Sequence, residues 1–91
     1  MTATRVIVQG RVQGVGYRAW VLRQAQICGL SGWVRNRNDG AVEAVFSGPA
    51  SEVAAMVAAC KSGPRLAAVT AVTEEPAQDL PPVGFSVRPT V

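Results

Sequence analysis

Only two stretches of this 91-residue chain carry helical periodicity, and that limit constrains the fold more than any other feature. The first runs from Tyr17 to about Cys28, with apolar residues at Val21, Ala25 and Cys28, flanked by Leu22. The second runs from about Ser51 to Lys61, with Val53, Met56, Val57 and Cys60 at the i, i+3, i+4, i+7 positions. Such spacing gives each helix one apolar stripe to bury. The remaining patterned segments are strand-like. Arg5–Gln9 is β-branched and reads as a central strand. Ser31–Arg37 and Ala41–Phe46 flank Asn38, Asp39 and Gly40, the turn chemistry of a hairpin. Ala68–Glu74 and Phe85–Arg88 alternate, and Pro89 limits the last strand at a sheet edge. The order is β-α-β-β-α-β plus a short fifth strand. Two helices cover only one face of a sheet, so the expected fold is α+β. It is a ferredoxin-like two-layer α/β sandwich, mainly antiparallel, with both helices on one face.

Punctuation residues support these limits. Gly29 stops the first helix. Gly48 and Pro49 end the hairpin, Ser51 is placed to cap the second helix, and Glu52 suits its positive end. Ser62, Gly63 and Pro64 break that helix, and Pro76–Pro82 is a loop.

Between the first strand and first helix stands Gln9-Gly-Arg-Val-Gln-Gly-Val-Gly-Tyr-Arg18. Its glycines, Gly10, Gly14 and Gly16, let the backbone enter conformations that a Cβ disfavours. A loop of this kind at a helix start aims several N–H groups at one point, where the helix dipole favours an anion. Arg18 adds a planar, permanently charged fork of donors. Two readings stand: a phosphate or carboxylate site, or a plain strand-to-helix turn with an arginine on a solvated face. The spacing is neither that of a dinucleotide loop nor that of a Walker loop.

Composition removes several function classes. Hydrophobic residues make up 48% of the chain, enough for a globular core. There is no histidine, hence neither the commonest general base nor the commonest metal ligand. Cys28 and Cys60 lie far apart without metal-ligand neighbours and read as buried reduced thiols. The apolar run after Met1–Arg5 is too short for a signal peptide, and none is long enough for a membrane span, so a cytoplasmic location is expected. The net charge is +3, with eight arginines and one lysine scattered rather than arrayed as a nucleic-acid stripe. The arginine and alanine content suits a GC-rich bacterial genome.

The first hairpin strand ends at Asn36, which offers an uncharged acceptor and donor. Beside a bound phosphate it would hold a water for in-line attack; otherwise it is a hairpin-end residue chosen for turn propensity. Asp39 and Glu43 are expected on a solvated hairpin, Trp20 and Trp33 in packing, and Glu74 and Glu75 facing water.

The chain resembles the acylphosphatases, small enzymes that hydrolyse carboxyl-phosphate anhydrides. The resemblance is carried by Gly10-Arg-Val-Gln-Gly-Val-Gly-Tyr-Arg18 with Ala25, by Gly29-Leu-x-Gly-Trp-Val-Arg-Asn36, and by Asp39-Gly40-x-Val42-Glu43. Gly48-Pro49, Gly63-Pro64 and Phe85-Ser-Val87 add to it, so it spans essentially the whole chain. It implies one domain over residues 1–91. It implies that Arg18 binds phosphate, that the backbone N–H groups of Gln13, Gly14, Val15, Gly16, Tyr17 and Arg18 form the cradle, and that Asn36 orients the nucleophilic water. Tyr17 stands where the family more often has Phe, and Cys28 where it often has Leu.

The implied chemistry needs few residues. The departing carboxylate has a conjugate-acid pKa of roughly 4, so no general acid is required. Positioning and charge stabilisation suffice, and the expectation is catalysis with no metal and no cofactor. Inorganic phosphate is expected to compete with the acyl phosphate, and a monomer is expected. An RNA-binding module is the alternative from another class, but no run matches the aromatic signature of such domains. A role as one part of a larger carbamoyl-transfer enzyme is the other.

Overall fold

The computed structural model describes residues 2–91. Among these residues the order is β1 (Thr2–Arg11), α1 (Tyr17–Ile27), β2 (Ser31–Asn36), β3 (Val42–Gly48), α2 (Ala50–Cys60), β4 (Ala68–Pro76) and β5 (Phe85–Val87). The strands form one sheet in the order β4-β1-β3-β2-β5. All neighbours are antiparallel except β2 and β5, which run parallel. The short fifth strand lies at an edge. The fold is therefore the expected ferredoxin-like α+β sandwich, with a mixed sheet.

The helical stripes explain the layering. Val21 and Ala25 of α1 and Val53, Met56, Val57 and Cys60 of α2 are buried in one cluster with Val6, Val8, Val34, Val42, Ala44 and Phe46 of the sheet. These sheet residues sit at alternate positions, so one face takes both helices. β1 is flanked on both sides, but the middle place belongs to β3, whose every residue is buried.

The helix ends differ in their chemistry. At the end of α1, Leu30 N–H donates to Ala25 C=O at 2.9 Å and Gly29 N–H to Gln26 C=O at 3.1 Å. That is a Schellman motif, with Gly29 at φ 69° in the position that favours glycine. Ser51 does not cap α2. Pro49 holds the cap position at φ −58°, and the helix has no side-chain cap. Proline's fixed φ already suits helix entry, so the helix starts before Ser51 and places it in the first turn.

Two further expectations are corrected. Glu43 is not solvated: it is 3% exposed. Arg5 Nε from β1 donates to it at 2.6 Å and Arg35 Nε from β2 at 2.8 Å, so the neighbouring strands bring charge to the middle one. Burial alone raises the Glu43 carboxyl; hydrogen bonds and charge from Arg35 and Arg5 outweigh it and hold the pKa below the usual range. Arg5 also pairs with Glu75, which is itself exposed. Cys28 is half-buried rather than buried, because the last turn of α1 is open to solvent on that side; Cys60 is buried, which pushes its thiol up to about 11. Trp20 and Trp33 are packing residues: Trp20 lies against the core, and Trp33 carries the guanidinium groups of Arg35 and Arg88 at 4.6 and 4.7 Å from its ring centre.

Candidate active site

The loop that leaves β1 is shaped by its glycines. Gly14 has φ 74° and Gly16 φ 80°, while among the described residues no non-glycine residue has positive φ. From Gly14 to Tyr17 the sign of φ therefore alternates, the backbone pattern that curls successive N–H groups around a concavity. A Cβ at either glycine would meet nothing within 4 Å. The glycines are thus needed for conformation and not for close packing.

Gly16 is also the N-cap of α1, and no side chain caps the helix. The first intrahelical bond runs from Trp20 N–H to Gly16 C=O at 3.0 Å. The N–H groups of Tyr17, Arg18 and Ala19 accordingly have no acceptor within the helix, and they point along its positive end. Arg18 stands in that first turn, half-buried, with no ion-pair partner among the described residues. Tyr17 is anchored from behind. Its Oη donates to the Cys60 carbonyl at 2.6 Å, satisfying a carbonyl at the end of α2. Burial drives the Tyr17 phenol pKa upward, and the Cys60 contact adds to it.

Asn36 enters from the end of β2. Its backbone pairs with Val42 of β3, and its carbonyl accepts from Val91 N–H at 3.2 Å. Its Oδ1 is buried, and among the described residues it is the one buried side-chain oxygen or nitrogen without a hydrogen-bond partner. Native proteins rarely leave such an acceptor open, since an unmade buried hydrogen bond costs about 1–3 kcal/mol.

The two halves meet in one cavity of about 370 Å³, lined by Gly14, Gly16, Arg18 and Asn36 among others. A second link between them was not legible in the sequence. The Gln13 side-chain amide donates to the carbonyls of Arg37 at 2.8 Å and Ala41 at 2.9 Å. Gln13 thus clips the loop to the mouth of the hairpin that carries Asn36. Its presence inside the glycine loop was the only available signal, and it suggested a backbone role alone.

A larger cleft, about 590 Å³, lies beside Trp33, Arg88 and the 76–82 loop. Trp33 alternates with the core residue Val34, so this cleft belongs to the sheet face away from the helices. It includes neither the glycine loop nor Asn36. Among the described residues no group of three His, Cys, Asp or Glu side chains is placed to hold a metal ion, and no helix is long and apolar enough to cross a membrane.

Fold and loop together define a ferredoxin-like protein with a glycine-shaped turn between its first strand and the uncapped start of its first helix. Comparison with known proteins gives the family. Residues 4–87 match the acylphosphatase family model. The chain is 55% identical over 93 residues to an acylphosphatase of Bradyrhizobium diazoefficiens, covering 96% of this chain and 94% of that one. It is 57% identical over 88 residues to acylphosphatase 2 of Ralstonia nicotianae, covering 94% and 92%. The crystal structure of acylphosphatase from Bacillus subtilis superposes with a TM-score of 0.91 at 39% identity, covering 97% of this chain and 99% of that one. The chain belongs to the acylphosphatase family. Its activity is that of an acylphosphatase, EC 3.6.1.7, and its substrates are acyl phosphates.

Proposed function

We propose that this chain hydrolyses acyl phosphates without a metal, as a monomer of one domain, using the loop 13–18 to hold phosphate and Asn36 to aim the water. The observation that carries this reading is the open acceptor of Asn36, buried at the wall of the cavity that Gly14, Gly16 and Arg18 also line. The N–H groups of Gln13 to Arg18 and the Arg18 guanidinium surround the phosphoryl oxygens, where charge is redistributed in the transition state. Asn36 Oδ1 accepts one hydrogen bond from a water. That turns a lone pair of the water toward phosphorus, opposite the departing carboxylate. Asparagine is too weak a base to keep the proton, so the proton passes to a phosphoryl oxygen of the substrate. The carboxylate leaves without protonation, and inorganic phosphate, held by the same donors, competes with substrate.

The test is steady-state hydrolysis of benzoyl phosphate in the presence of EDTA, for the wild type and Asn36→Ala. The expected result is fast metal-free turnover, with kcat reduced on the order of 100-fold in the variant, as for loss of one preorganised polar group. Inhibition by inorganic phosphate should be nearly unchanged. Weakened phosphate inhibition with intact kcat would move Asn36 from the water to the cradle. Activity lost in EDTA and restored by Mg²⁺ or Zn²⁺ would overturn the metal-free mechanism.

A further inference from the structure

The cavity that holds Arg18 and Asn36 is not polar throughout. Its wall includes Val12, Ala19, Leu22 and Val87, and it includes no acidic residue. Leu22 follows Arg18 by four residues in α1, so the two side chains share a helix face. Val87 comes from β5, where it pairs with Val34 two residues before Asn36. Leu22 is half-buried and Val87 is 44% exposed, so both keep apolar surface toward solvent beside the cradle. One exposed valine is ordinary. Two apolar side chains from different elements bordering the same small cavity as an arginine placed to bind the charged end of a substrate make a surface for its uncharged end.

We infer that Leu22 and Val87 form an acyl-group subsite, so that this enzyme prefers acyl phosphates with branched or aromatic apolar acyl groups over acetyl phosphate. The inference rests on the proposed phosphate cradle. The apolar contact is made equally before and during reaction, so the preference appears mainly in KM. A charged acyl group finds no counter-charge in the cavity except Arg18, which the phosphate engages.

The experiment compares acetyl phosphate with 3-methylbutanoyl phosphate by phosphate release. Their parent acids are of nearly equal strength, so leaving-group quality is held constant. The expected preference in kcat/KM for the larger substrate is about tenfold, from roughly half burial of the three added carbons. Leu22→Ser and the isosteric Val87→Thr should each reduce that preference about threefold, with the change in KM. A wild-type preference under twofold would overturn the subsite while leaving the cradle in place. So would a preference unchanged in both variants, or an equal loss on both substrates. A folded enzyme that turns over neither substrate would overturn the cradle reading itself.

Discussion

The side-chain amide of Gln13 donates to the carbonyl of Ala41 at 2.9 Å, across the mouth of the β2–β3 hairpin. Together with its bond to Arg37, this ties the loop of positive-φ glycines to the strand end that carries Asn36. Gln13→Glu replaces two donors by a charged acceptor facing two carbonyls. The expected outcome is a fall in kcat on benzoyl phosphate on the order of 10- to 100-fold, as for a small misplacement of reacting groups. The wild-type rate in a folded Gln13→Glu variant would show that the clip does not set the geometry.

Arg18 is tested by its closest relative in charge. Arg18→Lys keeps the positive charge and loses the planar fork, and lysine cannot reproduce bidentate binding of phosphoryl oxygens. Most of kcat/KM should be lost, about 100-fold, with weaker inhibition by inorganic phosphate. A lysine variant with near-normal kcat/KM would remove Arg18 from the cradle.

Glu43 makes a statement about pH. Its pKa in the folded chain lies below that of the unfolded chain, so its stabilisation is present above the unfolded value of about 4.3 and is lost as pH falls through the folded one. Glu43→Gln should cost about 2 kcal/mol at pH 7, less than a fully buried pair because Arg5 and Arg35 retain some access to water. The difference between wild type and variant in chemical denaturation should shrink below about pH 4. A pH-independent difference would assign the loss to packing instead.

Tyr17 links the first turn of α1 to the last of α2 through one buried hydrogen bond. Tyr17→Phe leaves the Cys60 carbonyl without that donor at a cost of about 1–2 kcal/mol. For a chain of this size the midpoint of thermal unfolding should fall by roughly 5–15 °C. An unchanged midpoint would mean that solvent satisfies the carbonyl.

Much of this was legible in the sequence because it is local. The switch from alternation to helical spacing at Tyr17, the Asn38-Asp39-Gly40 turn and Gly29 each act within a few residues. The Asp39 carboxylate accepts from Ala41 N–H at 3.0 Å, as turn chemistry requires. What was not legible depends on partners distant in sequence. Glu43 is buried because Arg5 and Arg35 flank it on adjacent strands, and nothing near Glu43 announces Arg5, 38 residues away. Gln13 needed the hairpin mouth placed before its amide had acceptors. β1 and β4 outrun their sequence signals for the same reason: β1 reaches Thr2 and Arg11, and β4 reaches Pro76, because pairing with neighbours prolongs these strands beyond their β-branched centres. Ser51 was displaced as a cap by the conformational stiffness of Pro49.

The middle strand lends no residue to the wall of the cavity shared by Arg18 and Asn36, yet it governs that cavity. Val42 is the register partner of Val8, which leads into the glycine loop, and of Asn36. The two halves of the site are thus measured from a shared datum, each one strand spacing of ~4.8 Å away. Fraying of the outer strand β4, which lines no part of that cavity, leaves that measurement intact, and the parting of β3 from its neighbours destroys it. Such an interior strand opens only with the whole molecule, so its amide protons should be among the last to exchange. The spacing between the root of the glycine loop at Val8 and the strand end at Asn36 is then lost only when the whole molecule opens.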